Sequence, residues 1–110
     1  MTVSATDIVN AREKMGDTII RTPMIYSPSL SKITTASVYL KLESQQVTSS
    51  FKPRGAFTKI DAIDKTRADK GVIAMSAGNH AQAVAYHAFQ RNIPSVIVMP
   101  AQTPFSKIKK

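Results

Sequence analysis

The sequence predicts an α/β fold, a mostly parallel sheet with flanking helices, and three observations carry that prediction. Apolar segments of strand length recur at Val38–Glu43, Val72–Met75 and Ile93–Met99. Helical spacing of apolar residues fills the intervals between them. Ser, Gly, Pro and Asn punctuate the junctions. Strand, helix, strand, helix, strand implies parallel pairing through right-handed crossovers. No internal repeat and no low-complexity segment interrupts the pattern.

Each element has its own signal. Ser4-Ala5-Thr6-Asp7 has capping-box spacing, and Ile8, Ala11 and Met15 follow at helical intervals. A first helix is therefore expected over about 5–15, ended by Gly16. Residues 17–37 hold Pro23 and Pro28 and are rich in Ser and Thr; they read as irregular chain with one extended piece at Met24-Ile25-Tyr26. Val38–Glu43 alternates and reads as a strand. A polar loop from Gln45 to Ser50 leads into a helix over about 54–66, with Ala56, Ile60 and Ile63 as its inner face.

Val72–Met75 is a continuous apolar run after Gly71, which suits a fully buried strand. A small-residue helix is expected from about 80 to 91, packing through Ala81, Val84, Ala85 and Ala88. Ile93–Met99 is the next strand, stopped by Pro100, and a last helix begins around Pro104. Met75 and Met99 read as core.

Composition narrows the function classes. The 110 residues suggest one domain of ordinary size, and 43% hydrophobic residues are enough for a core. Cysteine is absent, which excludes a disulfide framework and thiolate metal sites. No apolar run approaches the roughly 18 residues that span a bilayer. The start, Met1 to Asp7, lacks the basic and apolar regions of a secretory signal. The expectation is a cytoplasmic chain with no membrane partner. The net charge of +8 raises nucleic acid as a partner. The basic residues are scattered, however, clustering only at Lys107, Lys109 and Lys110, and the few aromatics do not interleave with them. Nucleic acid is not expected; an anionic small molecule would gain from the same excess.

Two stretches carry candidate chemistry. In Ser49-Ser50-Phe51-Lys52-Pro53-Arg54-Gly55-Ala56, a lysine stands where extended chain turns into a helix. Pro53 suits the first helical turn, and Ser49 or Ser50 can cap it. The helix dipole and Arg54 both disfavour an added positive charge at Lys52, and a free amine is what imine chemistry needs. Taken alone, such a turn is more often a solvated basic corner than a nucleophile. The second stretch, Ser76-Ala77-Gly78-Asn79-His80, joins a strand to a helix at the carboxyl end of the strand, where open α/β sheets place ligands. Gly78 lets the backbone turn tightly, and the N–H groups that follow can cradle an anion. Ser76 and Asn79 add a hydroxyl and an amide. Taken alone, this is more often a tight turn capped by Ser and Asn than a ligand site. His80 and His87 fall on one helical face, but two histidines without a third ligand assign no metal.

Together, the two stretches resemble those of fold-type II pyridoxal-phosphate enzymes, nearest to the threonine dehydratase (threonine ammonia-lyase) and serine racemase group. Ser50 to Ala56 resembles the lysine motif of that family, and Ser76 to Gln82 its asparagine loop. Val38–Glu43 and Val96–Pro100 match the flanking pattern. The resemblance runs from about Thr22 onward. It implies the two-domain, tryptophan-synthase-β-like architecture, with residues 1–68 as the N-terminal part of the large domain and 69–110 as the start of the small domain.

The resemblance also implies roles. Lys52 would hold pyridoxal 5'-phosphate as an imine and then remove the substrate Cα proton. Phe51 would lie against the cofactor pocket, and Asn79 would bond the cofactor's 3-hydroxyl. Ser76, Ala77, Gly78, Asn79 and His80 would grip the carboxylate of a small amino-acid substrate. Racemases of the group carry a second serine where Ala77 stands, so β-elimination of water from L-threonine or L-serine is expected over racemisation. Serine racemase and a catalytically silent piece that binds an anion or a partner are the alternatives. The full-length form would be a homo-oligomer. Thr48-Ser49-Ser50 replaces the family's usual Thr-Gly-Ser, a loss of freedom if the turn needs positive φ, and Ala83 stands where glycine is common. The family's glycine-rich phosphate loop is not found among these residues, so the chain is expected to be a fragment.

Overall fold

The computed structural model describes residues 2–108; Met1 and the basic pair Lys109 and Lys110 lie outside the described residues. Helix α1 (Ala5–Met15) starts where expected, because Ser4 and Asp7 cap each other. The Ser4 Oγ accepts the Asp7 N–H at 3.2 Å, and the Asp7 carboxylate accepts the Ser4 N–H at 2.8 Å.

Strand β1 (Met24–Tyr26) is followed by a helix that the proline-rich composition hides, α2 (Pro28–Thr34). Pro28 opens this helix instead of breaking it, since a first-turn residue has no N–H partner to lose. Ser27 caps it through the Leu30 N–H, and Thr35 ends it at φ 56°. β2 (Tyr39–Lys41) then pairs antiparallel with β1, from Met24↔Lys41 to Tyr26↔Tyr39. Helix α3 (Lys52–Asp61) begins two residues earlier than its apolar spacing suggests. It stops short of 66 because Asp64 turns out to cap the Thr66 N–H, winding Lys65–Lys70 into 3-10 turns.

β3 (Val72–Met75), α4 (Asn79–Gln90) and β4 (Ser95–Val98) form one βαβ unit whose strands pair parallel, Val72↔Ser95 through Met75↔Val98. A short α5 (Phe105–Ile108) follows. Gly71 sits at φ 75°, and a Cβ there would lie 2.6 Å from the Pro94 carbonyl oxygen, so that crossing requires glycine. The strands form two separate two-stranded sheets, β1–β2 antiparallel and β3–β4 parallel, within the expected α/β class. α2 returns the chain so that β2 runs antiparallel beside β1.

α3 and α4 pack directly on each other and are the core. Ala56, Ile60, Ala83, Val84, Ala88 and Ile93 are buried together, with Ile63, Val72, Ala74 and Ile97 against them. The inner faces expected of both helices are borne out, and Ala83, fully buried, fits its methyl inside this seam. β3 is not fully buried: α4 covers one face only, leaving Ile73 73% and Met75 82% exposed on the other. Met75 is thus not core, and Met99 is half-buried. With a Cα radius of gyration of 16.7 Å, the chain is more open than the roughly 13 Å of a compact domain of this length.

Candidate functional site

The lysine turn is assembled from hydrogen bonds. The Ser49 N–H donates to the Gln46 carbonyl at 2.7 Å, and Ser49 itself lies at φ 53°. The family-like glycine position thus does require the left-handed region, and a serine occupies it. Ser50 is buried, and its hydroxyl accepts the Lys52 N–H at 3.4 Å, but the N-cap position is Phe51, so neither Ser49 nor Ser50 caps α3 as expected. Pro53, fully buried, fixes the first turn of α3. Lys52 is half-buried, and its Nζ lies 4.8 Å from the centre of the Phe51 ring, which is exposed.

Arg54 does not stand beside Lys52 as a bare cation, contrary to the expectation from sequence. Its guanidinium forks onto Glu43, Nε to Oε2 and Nη2 to Oε1, both at 2.8 Å. That fork, helped by the Thr22 hydroxyl, pulls the Glu43 carboxyl down from 4.5 to about 2. In return, the carboxylate raises the Arg54 guanidinium above its ordinary value. Glu43 opens the 3-10 turn that follows β2, so the ion pair ties the strand's exit to the first turn of α3.

The asparagine loop is built differently. The Ser76 N–H donates to the Val98 carbonyl at 2.9 Å, fastening the end of β3 to β4. The Ser76 Oγ accepts the Gly78 N–H at 3.1 Å. Gly78 has φ −139°, which any residue adopts, so positive φ is not its reason for being here. A Cβ at Gly78 would meet nothing within 4 Å; the backbone there faces open space. Asn79 and His80 open α4 with exposed side chains, and Ala77 is half-buried between them and the strand.

α3 packs on α4, and one cleft brings part of the lysine turn near the start of α4. Val47, Thr48 and Ser49 share a cleft of about 590 Å³ with Asn79, Gln82 and Tyr86 of α4. Ser49 and Asn79 therefore line one space. Phe51, Lys52, Ser76, Ala77, Gly78 and His80 are not part of that lining.

Sequence reasoning missed two buried polar residues nearby. His87 packs edge-on against Phe57 and Tyr86, is 2% exposed, and its Nε2 has no hydrogen-bond partner. Burial first, and then the charge of Arg91, push its pKa down, while the Pro53 backbone pulls the other way. The signal was available, since His87 lies three residues after Val84, on the buried stripe. Gln46 is the second; it sat in a polar loop with no periodicity to mark it.

A family model described as "Pyridoxal-phosphate dependent enzyme" matches residues 15–110. The chain belongs to the pyridoxal-phosphate-dependent enzyme family. Its relatives include L-threonine ammonia-lyase of Thermotoga maritima, 44% identical over 98% of this chain and 27% of that protein. A catabolic L-threonine dehydratase of Staphylococcus aureus is 48% identical over 96% of this chain and 31% of its own length. Among solved structures, maize serine racemase superposes with a TM-score of 0.90 at 36% identity, covering 99% of this chain and 33% of that one. The chain thus spans about a quarter to a third of these relatives, and its α/β elements are part of the fold-type II architecture.

Proposed function

We propose that this chain carries the lysine and asparagine elements of a threonine or serine ammonia-lyase. The observation that supports the reading is the cleft that Asn79, at the start of α4, lines together with Val47, Thr48 and Ser49 of the turn leading to Lys52. The residues fit pyridoxal phosphate. They offer an amine at one helix start, an exposed amide at the other, and at Gly78 bare backbone facing open space. When bound, pyridoxal phosphate supplies an aldehyde that takes up amines and an electron sink for charge developing at the substrate's α carbon.

Lys52 would hold the cofactor through Nζ, and as a free amine that Nζ would take the proton from the substrate Cα. The substrate hydroxyl leaves from the neighbouring carbon as water. Asn79 holds the cofactor's ring hydroxyl, and Phe51 bounds the pocket. Ser76, Ala77, Gly78, Asn79 and His80 hold the substrate carboxylate at the positive end of α4. The released enamine becomes an imine and takes up one water, giving a 2-oxo acid and ammonia, 2-oxobutanoate from L-threonine.

Elimination is favoured over racemisation by the names of the relatives at 44–48% identity and by Ala77. A methyl group there has no proton to return to the opposite face of Cα. The reading places residues 1–68 in a large domain and 69–110 in a small one, with the antiparallel and the parallel sheet as the respective parts. It includes a homo-oligomeric full-length form in the cytoplasm. No described helix is long and apolar enough to cross a membrane.

The test is to supply pyridoxal phosphate with L-threonine or L-serine and to measure 2-oxo acid, ammonia and D-serine separately. Equal amounts of 2-oxo acid and ammonia, lost in Lys52→Ala, support the reading. D-serine without 2-oxo acid contradicts it.

A further inference from the structure

The lysine turn is anchored from outside the site. β1 and β2 pair antiparallel as far as Met24↔Lys41, and the Leu42 N–H extends the ladder to the Pro23 carbonyl at 3.0 Å. There the backbone ladder ends, because Glu43–Gln45 coils into a 3-10 turn. A side chain then resumes it. The Gln46 Nε2 donates to the Ile20 carbonyl at 2.9 Å, and its Oε1 accepts the Ile20 N–H at 3.0 Å.

A primary amide offers a donor and an acceptor in one plane, as a peptide group does. The two bonds to one residue therefore reproduce a hydrogen-bonded pair of antiparallel strands. Gln46 is 3% exposed, so an unmet donor or acceptor here would lose its bonds to water as well. Its Oε1 also takes the Val47 N–H at 3.3 Å, and its own carbonyl accepts the Ser49 N–H. One residue thus closes the antiparallel strap and opens the turn that runs through left-handed Ser49 to Lys52.

We propose that Gln46 is a positioning residue for Lys52: its amide fixes the start of the lysine turn on the Ile20 backbone. The proposal rests on the reading of Lys52 as the residue that binds the cofactor. A space-filling role would be met by leucine. A pairing role needs both a donor and an acceptor, which a protonated Gln46→Glu supplies and an ionised one does not.

The test compares wild type, Gln46→Leu and Gln46→Glu by imine absorbance during titration with pyridoxal phosphate, with urea unfolding as a check on the fold. Hydrogen exchange of residues 46–52 is followed without cofactor. Gln46→Leu is expected to weaken cofactor binding and to speed exchange in 46–52, each about tenfold, with α4 exchange unchanged. Gln46→Glu is expected to behave like Gln46→Leu at pH about 8 and to approach wild type, compared at equal pH, as pH falls towards about 5, because burial at this site raises a carboxyl above its ordinary value. Unchanged exchange in Gln46→Leu, or a Gln46→Glu to wild-type ratio flat with pH in both exchange and binding, overturns the proposal. If wild type itself forms no imine at Lys52, the reading of Lys52 fails. The exchange arm needs no cofactor and still decides whether Gln46 anchors the turn.

Discussion

The lysine turn and the asparagine loop both present a side chain at a helix start, but they are held by opposite means. The lysine turn is pinned by polar groups: Arg54 forked on Glu43, Gln46 paired with Ile20, Ser50 under the Lys52 N–H. The asparagine loop is held by the βαβ unit beneath it, where Ala81, Val84 and Ala88 bury one face of α4. A polar anchor depends on donor and acceptor chemistry at a few atoms. A packed anchor depends on volume spread over many. The two halves should therefore fail under different kinds of change.

Volume should hurt the packed half most. Ala83 is fully buried in the α3–α4 seam, and Ala83→Leu is expected to cost about 2–3 kcal/mol by urea unfolding. An unchanged urea midpoint would mean that the seam is loose. Next, removal of a charge should hurt the polar half. Arg54→Ala strips the fork from Glu43 at a partly exposed site, for an expected loss of about 1–2 kcal/mol. A loss no larger than that of Thr58→Ala, outside the clamp, would contradict it.

Acid should separate the halves by pH. The Glu43 carboxyl is lowered from 4.5 to about 2, so the folded chain binds fewer protons than the unfolded one between those values. Its contribution to stability is complete above pH 4.5 and is lost as pH falls towards about 2. His87, lowered from 6.5 by burial, gives an earlier fall that begins as pH drops below 6.5, because only the unfolded imidazole protonates freely there. Stability measured against pH should show both declines. Glu43→Gln should shrink the lower one, to which Asp7 and Asp64 also contribute, and His87→Gln should remove the upper one.

The smallest effect is expected at Ser49. A non-glycine residue at φ 53° carries a backbone cost that glycine relieves, partly offset by the freedom glycine gains when unfolded. Ser49→Gly should stabilise by about 0.5–1 kcal/mol. Destabilisation would mean that the Ser49 side chain contributes a contact of its own.

The same contrast explains what the sequence could convey. The packed half was legible, because the α4 stripe and the apolar runs of β3 and β4 have regular spacing. The exposure of Ile73 and Met75 was not, since an apolar run looks the same whether one face or both are covered. The polar half was legible only as a motif. Lys52 and Pro53 could be placed from residue type, and the left-handed position at Ser49 only from the glycine that the family it resembles carries there. The partners of Arg54 and Gln46 could not, because Glu43 and Ile20 lie 11 and 26 residues away and polar pairing leaves no periodic trace. α2 was hidden for a related reason: Pro28 reads as a breaker until its place in the first turn is known.

The central claim is that Lys52 forms the covalent link to pyridoxal phosphate. The most direct measurement is the visible absorbance of the purified protein after incubation with pyridoxal phosphate and dialysis, beside Lys52→Ala. A retained imine band in wild type that vanishes in Lys52→Ala is the predicted result. A band of equal size in both, or none in either, would contradict it.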